Sequence, residues 1–116
     1  MNTNDRKPMT LDEYQKLAMR TAADSPLECA ALGLCGEAGE FADLLKKHLY
    51  HGHPLIHDRA TKELGDVLWY VALACERLGV SLEDVASANV EKLRRRYPEG
   101  FSTKASLARA DEAVSP

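Results

Sequence analysis

The chain has 116 residues, enough for one domain, and its hydrophobic fraction of 45% allows a substantial core. Aromatic residues make up only 6% of the sequence, which favours helices over sheets. The net charge of −3 argues against a general binder of nucleic acids or anionic membranes. Because there is no secretory signal and no apolar run of roughly 20 residues, we expect a cytoplasmic protein.

Four stretches of the chain carry helix start and stop signals. A capping box begins the first helix at Thr10 and Glu13, and Ser25 with Pro26 is predicted to cap the second. The helices are predicted over residues 10–23, 25–50, 57–78 and 81–96, with Gly79 ending the third. We therefore expect an all-α bundle of about four helices, its core completed by oligomerisation. The predicted domain spans residues 10–102, between flexible ends at 1–9 and 103–116.

Two pairs of acidic residues lie within the second and third predicted helices, one pair in each. They are Glu37 with Glu40, and Glu63 with Asp66. A spacing of three residues places both carboxylates of a pair on one helix face, about 5–6 Å apart, which an isolated helix disfavours. If the two helices face each other, four carboxylates meet without a cation from the protein, and a hard divalent ion such as Mg²⁺, Mn²⁺ or Ca²⁺ suits them. The alternative is four solvated surface carboxylates.

The acidic pairs lie beside the predicted apolar faces of their helices. On the third helix this face is a seam with helical spacing, made of Leu64, Leu68, Val71, Cys75 and Leu78. Four helix-interior glycines remove bulk beside the carboxylates, namely Gly33, Gly36, Gly39 and Gly65. They indicate close helix approach or ligand access, and Asp43 is a further candidate oxygen ligand. Spacing alone does not decide whether the core closes within one chain or across a dimer.

The fourth helix carries an amide and several basic residues that are candidates for binding phosphate. These residues are Asn89, Lys92, Arg95 and Arg96. Their donors suit phosphate oxygens, although basic residues at a helix C-terminus are also favoured by the helix dipole alone. Tyr70 shares the acidic face of the third helix and is a candidate ligand contact. Neither acidic pair has histidine three residues on, which argues against a di-iron bundle.

With these motifs the sequence resembles the small MazG-like nucleoside triphosphate pyrophosphohydrolases, an all-α family. The resemblance rests on Glu13-Tyr14-Gln15, on Gly36-Glu37-Ala38-Gly39-Glu40 and on Glu63-Leu64-Gly65-Asp66. It continues through Asn89-Val90-Glu91-Lys92 and Arg96-Tyr97-Pro98-Glu99-Gly100-Phe101, and covers residues 10–102.

The resemblance implies hydrolysis of (deoxy)nucleoside triphosphates between the α and β phosphates, giving a monophosphate and pyrophosphate, in nucleotide-pool house-cleaning. It implies Mg²⁺, with Mn²⁺ as a possible substitute, held by the four catalytic carboxylates Glu37, Glu40, Glu63 and Asp66. It also implies a homo-oligomer, dimer or tetramer, without a nucleic-acid polymer or a membrane as partner. The expected substrate contacts are Asn89, Lys92, Arg95, Arg96, Tyr70 and Gln15.

A second hypothesis is a non-catalytic helical module that binds a metal or nucleotide and acts through a protein partner. Nucleotide turnover separates the two hypotheses, because only the first predicts turnover that depends on the carboxylates.

Overall fold

The computed structural model describes residues 6–112, which contain five α-helices and no β-strand. The helices are α1 (Leu11–Ala18), α2 (Leu27–Tyr50), α3 (His57–Leu78), α4 (Leu82–Arg96) and α5 (Thr103–Ala108). The prediction of an all-α fold is confirmed. The chain divides into two compact units, Met1–Leu82 and Glu83–Pro116. Within the described part of the chain, no helix combines the length and the apolar character needed to cross a membrane.

The first helix begins as the sequence predicts. The hydroxyl of Thr10 accepts a hydrogen bond from the backbone N–H of Glu13 at 3.1 Å, which satisfies one of the free donors at the helix start. The α-helix ends at Ala18 and tightens into a 3₁₀ turn over Met19–Thr21. Ala23 then takes a left-handed conformation with φ of +49°, which turns the chain into the next helix.

The second helix begins one residue later than predicted, at Leu27 instead of Pro26. Pro26 occupies the cap position with an extended backbone, and its carbonyl accepts hydrogen bonds from the third and fourth residues after it. The prediction that Ser25 is the cap is therefore wrong. The guanidinium of Arg77 donates to the backbone carbonyls of Ser25 at 2.5 Å and Ala23 at 3.0 Å, so a long-range contact holds the chain just before this cap.

Helices α2 and α3 form an antiparallel hairpin that dominates the N-terminal unit. Gly33, in the first half of α2, lies against Tyr70 in the second half of α3. The third helix ends at Gly79, whose φ of +73° permits the left-handed turn, and the N–H of Val80 returns to the carbonyl of Cys75 at 3.0 Å. Gly79 is thus the C-terminal glycine that the sequence predicts.

The core of the N-terminal unit lies where α1, α2 and α3 meet. Ala22, Ala30 and Leu73 are buried there, and Trp69 and Tyr70 pack against them. This is a different face of α3 from the seam that the apolar spacing predicts.

The three leucines of the predicted seam of α3 are exposed in the described chain, whereas its Cys75 is buried. Leu64, Leu68 and Leu78 are 51%, 38% and 62% exposed. At about 100° per residue, this side of the helix points away from the side that carries Trp69 and Leu73. The difference arises because α1 packs on the aromatic side of α3, where Trp69 donates to Ala18 and Thr21.

The C-terminal unit contains residues 83–96 of α4, followed by α5 and a 3₁₀ turn over Ala110–Glu112. The guanidinium of Arg96 donates to both carboxylate oxygens of Asp111, at 2.5 and 2.9 Å. The rings of Tyr97 and Phe101 lie 5.4 Å apart. The flexibility predicted for residues 1–9 and 103–116 stays a prediction, and residues 1–5 and 113–116 lie outside the described chain.

Candidate functional site

Three carboxylates converge between α2 and α3. Glu37 of α2 and Glu63 and Asp66 of α3 each offer one oxygen, and these three oxygens lie within 4.8 Å of one another. Glu37 and Glu63 are half-buried and Asp66 is exposed. The structure thus brings together three of the four predicted metal ligands, at the edge of the helix contact where solvent can still enter.

The close approach of the two helices explains how Glu37 reaches α3. A Cβ atom placed on Gly33 would lie 2.1 Å from Cε1 of Tyr70, so the ring occupies the space that any side chain at position 33 would need. Glu37 is one turn further along the same face of α2. In the antiparallel pairing, one turn after Gly33 corresponds to one turn before Tyr70, which is the position of Asp66. Glu63, about one turn further, reaches Glu37 through a side-chain hydrogen bond.

The electrostatics of this cluster favour a cation. Burial, the negative charge of Asp66 and a hydrogen bond with Glu63 raise the pKa of Glu37 above its ordinary value. A hydrogen bond between two carboxyl groups needs a proton on one of them. None of the three carboxylates forms an ion pair with lysine or arginine anywhere in residues 6–112. An all-oxygen donor set that lacks a protein cation fits a hard divalent ion.

Glu40, the fourth predicted ligand, does not belong to this group of three. It is exposed and lies about 60° around α2 from Glu37. Its charge still contributes to the raised pKa of Glu37. Glu40 therefore lies beside the cluster, and its role as a ligand stays a prediction.

Asp43, the further candidate ligand, has protein cations as partners. Lys46 and Lys47 form ion pairs with its two oxygens at 3.2 and 2.8 Å. Their ammonium groups lower the pKa of Asp43, with Lys47 the stronger influence. Because these charges already satisfy the carboxylate, the structure gives no support to Asp43 as a metal ligand.

Gln15 is a buried residue whose amide is fully occupied. Its nitrogen donates to Oε2 of Glu76 at 3.0 Å and to the carbonyl of Val80 at 3.2 Å. Its oxygen accepts from the N–H of Leu82 at 2.6 Å. The side chain thereby holds the turn between α3 and the first residue of α4. Its predicted contact with a base or sugar stays a prediction, to which this arrangement adds no support.

Tyr70 packs against the core at the contact between α2 and α3. Its ring lies over Gly33 and meets the ring of Trp69 edge-on, with centroids 5.0 Å apart. Tyr70 is therefore a packing residue of the helix contact, and its predicted contact with substrate stays a prediction.

The predicted phosphate contacts lie on α4 in the C-terminal unit. Asn89, Lys92 and Arg95 are exposed there. Arg96 differs from them, because its guanidinium is engaged with both oxygens of Asp111 and is largely buried. The three exposed residues keep their side chains available for a ligand, whereas Arg96 has a structural partner that the sequence did not reveal.

One residue near the cluster is absent from the predicted set. Tyr14 on α1 is half-buried, and burial together with the negative charge of Asp66 raises the pKa of its phenol. The sequence feature that could have identified Tyr14 is its position beside Gln15 in the motif Glu13-Tyr14-Gln15. Spacing within α1 does not show which face of that helix meets α3.

Comparison with known families matches residues 26–101 to the MazG nucleotide pyrophosphohydrolase domain. The chain is also similar to the Gene 37 protein of Mycobacterium phage L5, with 39% identity over 105 residues, which covers 79% of this chain and 92% of the phage protein. No solved structure matches the chain. The matched domain spans more than half of the chain and includes Glu37, Glu63 and Asp66, and the helical fold agrees with it. The chain therefore belongs to the MazG nucleotide pyrophosphohydrolase family.

Proposed function

We propose that the chain hydrolyses (deoxy)nucleoside triphosphates between the α and β phosphates, releasing a nucleoside monophosphate and pyrophosphate. We further propose Mg²⁺ as its cofactor, Mn²⁺ as a substitute, and a house-cleaning role in the nucleotide pool. One observation carries the proposal: within a nucleotide pyrophosphohydrolase family member, three carboxylate oxygens lie within 4.8 Å of one another, and none of these groups pairs with lysine or arginine in the described chain.

Glu37, Glu63 and Asp66 would hold the ion, with Glu40 as the predicted fourth ligand. When bound, Mg²⁺ supplies charge neutralisation for phosphate oxygens and lowers the pKa of a coordinated water. An ion with these two effects suits the site, because phosphoryl transfer needs positioning and charge neutralisation more than a covalent intermediate.

The other two proposed roles are acceptance of a proton and binding of the phosphates. Glu37 or Glu40, whichever is not saturated by the metal, is the candidate that accepts a proton from the attacking water, and Glu40 is exposed beside the cluster. Lys92 and Arg95, which are exposed, are the proposed phosphate contacts, with Asn89 beside them. Arg96 would have to leave Asp111 to join them.

The first experiment measures pyrophosphate and monophosphate release from a panel of ribo- and deoxyribonucleoside triphosphates, with Mg²⁺ or with EDTA. The wild type is compared with Glu63→Gln and Asp66→Asn, which remove charge and keep shape. Glu28→Gln is the matched control, since Glu28 is an exposed residue of α2 nine positions, or roughly 14 Å, before Glu37. We expect the two ligand variants to lose at least about a hundredfold in kcat/KM, and the control to stay within about twofold of the wild type.

Two results would overturn the proposal. Release of a diphosphate and inorganic phosphate would place the cleavage at the wrong bond. Absence of turnover with both Mg²⁺ and Mn²⁺, together with metal-dependent nucleotide binding, would favour the non-catalytic module instead.

We also propose that the working form is a homo-oligomer, a dimer or a tetramer. Large apolar side chains are exposed along the α2–α3 hairpin, among them Leu32 at 76%, Leu49 at 67% and Leu64 at 51%. Exposed apolar faces of this kind mark association surfaces. Light scattering after size exclusion should give a multiple of the 12.8 kDa chain mass, and Leu64→Glu should reduce it. A monomeric wild type at micromolar concentration would refute this part of the proposal.

A further inference from the structure

The contact between α2 and α3 continues past the carboxylate cluster toward the turn of the hairpin. Because the two helices are antiparallel, each further turn of α2 meets an earlier turn of α3. Phe41 is one turn after Glu37, about 6 Å along α2. Ala60 is about 4.5 Å before Glu63 along α3. Both residues therefore lie about one turn beyond the carboxylates, in the same direction along the contact.

A cavity of about 270 Å³, which we call the hairpin cavity, lies in this part of the contact. The residues that line it include Phe41, Leu45, Ala60, Leu64, His57 and Thr61. Phe41 is half-buried, whereas His57 and Thr61 are exposed. The imidazole of His57 and the hydroxyl of Thr61 can each donate or accept a hydrogen bond. The hairpin cavity thus combines an aromatic ring and an apolar lining with two polar groups that solvent reaches.

Within the described chain, the opposite end of the same helix contact is filled. There the ring of Tyr70 takes the space that a side chain on Gly33 would need. A larger cavity, lined by Gln15 and Glu76 among others, is about 15 Å along α3 from Asp66. The hairpin cavity is therefore the space that adjoins the carboxylates along this contact.

The size and lining of the hairpin cavity suit a flat aromatic group. A pocket that encloses a whole drug-sized ligand is typically about 300–1,000 Å³. A cavity of about 270 Å³ therefore suits one part of a nucleotide and leaves the rest outside. Every nucleobase has a face that stacks on an aromatic side chain, and its edge carries donors and acceptors of hydrogen bonds.

We propose that the hairpin cavity binds the base of the bound nucleoside triphosphate, which stacks on Phe41. The proposal rests on the proposed function, because the triphosphate held at the carboxylates brings the base within reach. One sugar ring joins the α-phosphate to the base, a separation similar to one helix turn. The phosphates then lie over the carboxylates, the base lies among the apolar side chains, and His57 and Thr61 face the edge of the base.

The test separates the base from the phosphates. Calorimetry with Mg²⁺ measures the binding of the α,β-methylene analogues of dATP, dGTP, dCTP and dTTP, which are not cleaved at the proposed bond. Tripolyphosphate, which has phosphates but no base, is the second probe. Phe41→Ala removes the stacking ring, and Ala60→Phe places a ring in the space for the base. Tyr50→Ala is the matched control, because Tyr50 is an aromatic residue of α2 that is 79% exposed outside the hairpin cavity.

In the wild type, at least one nucleotide analogue should bind more tightly than tripolyphosphate. We expect Phe41→Ala and Ala60→Phe each to weaken binding of the tightest analogue by about five- to 150-fold, the usual effect of losing a stacked base. Tripolyphosphate should bind both variants within about twofold of the wild type, because the carboxylates are unchanged. Tyr50→Ala should bind both probes as the wild type does. If Phe41→Ala is unfolded in the assay, Ala60→Phe decides, because it keeps the ring of Phe41.

Three results overturn the proposal. The first is a wild type that binds none of the analogues more tightly than tripolyphosphate. The second is an unchanged affinity of either folded variant for the analogue, or an equal loss for both probes. The third is a lower mass of the variants in light scattering with analogue affinity retained, which would assign the hairpin cavity to a second copy of the chain. If the binding results are as expected and no triphosphate is hydrolysed, only the proposed function fails.

Discussion

Gly33→Ala is the sharpest test of how the carboxylate site is built. The added Cβ would lie 2.1 Å from Cε1 of Tyr70 and 2.4 and 2.5 Å from Cζ and Cδ1 of the same ring. Ordinary contacts between carbon atoms are about 3.5–4.0 Å, so the overlap exceeds about 1 Å. The ring has little freedom to move away, because it meets Trp69 edge-on and the indole nitrogen of Trp69 is held by Ala18 and Thr21.

The expected effect is a net loss of stability. Alanine is favoured over glycine within a helix by about 1 kcal/mol. Overpacking a filled contact costs about 1–3 kcal/mol, and the restrained ring places this site at the upper end. The difference is a net destabilisation of about 2 kcal/mol, which corresponds to a fall in melting temperature of about 8–15 °C for a unit of this size. Thermal unfolding followed by circular dichroism measures it.

Two controls separate the clash from a general intolerance of α2 to substitution. Gly36→Ala adds the same methyl group where nothing lies within 4 Å, so it should raise stability by up to about 1 kcal/mol. In a Tyr70→Ala background the clash is absent, so Gly33→Ala should become neutral or stabilising. An equal fall in both glycine variants, or an unchanged effect of Gly33→Ala without the ring, would refute the reasoning.

Three further predictions concern charge and backbone. Burial and the negative charge of Asp66 raise the pKa of Glu37. In metal-free protein the protonated carboxyl of Glu37 therefore stabilises the folded state fully below pH 4.5, and this stabilisation is lost as pH rises through the raised pKa. Mg²⁺ should therefore raise the melting temperature far more at pH 7 than at pH 4.5, and equal shifts at both values would contradict the assignment. The Arg96 guanidinium holds the pKa of Asp111 below its ordinary 3.8. The ion pair between these residues therefore stabilises the C-terminal unit fully above pH 3.8, and this stabilisation is lost as pH falls through the lowered pKa. Asp111→Asn should remove that part of the acid dependence in circular dichroism titrations, and an unchanged titration would count against the ion pair. Ala23 has φ of +49°, where alanine is disfavoured by about 1 kcal/mol, so Ala23→Gly should raise the melting temperature by a few degrees despite the greater freedom of glycine in the unfolded chain. A lower melting temperature for that variant would show that the turn is not strained.

The helices themselves were predictable because their signals are local. The capping hydroxyl of Thr10 and the left-handed Gly79 act within a few residues of where they occur. The start of α2 was not predictable in the same way. Arg77, some fifty residues later, donates to the carbonyls of Ala23 and Ser25 just before its cap, and local spacing does not reveal such a contact.

The two acidic pairs were predictable from their spacing, but the grouping of Glu37 with Glu63 and Asp66, without Glu40, was not. The spacing of three places Glu37 and Glu40 on neighbouring lines of one helix, and the rotation of α2 against α3 decides which line faces inward. That rotation depends on contacts between residues far apart in sequence, such as Gly33 with Tyr70, which local spacing does not reveal. The same dependence on distant partners explains Arg96, since Asp111 lies in a segment predicted to be flexible.

The contact between α2 and α3 contains both the packed core and the carboxylate cluster, and the features that form the cluster reduce the stability of the helices. Gly33 weakens α2 by about 1 kcal/mol relative to alanine, and the three carboxylates repel one another when no cation is bound. The contact persists because the same approach seats Tyr70 over Gly33 and buries Leu73 and Ala30. A substitution that spreads the helices would therefore separate Glu37 from Glu63 as well. Stability of the hairpin and affinity for the metal should thus fall together in Gly33→Ala, and affinity should survive in Gly36→Ala.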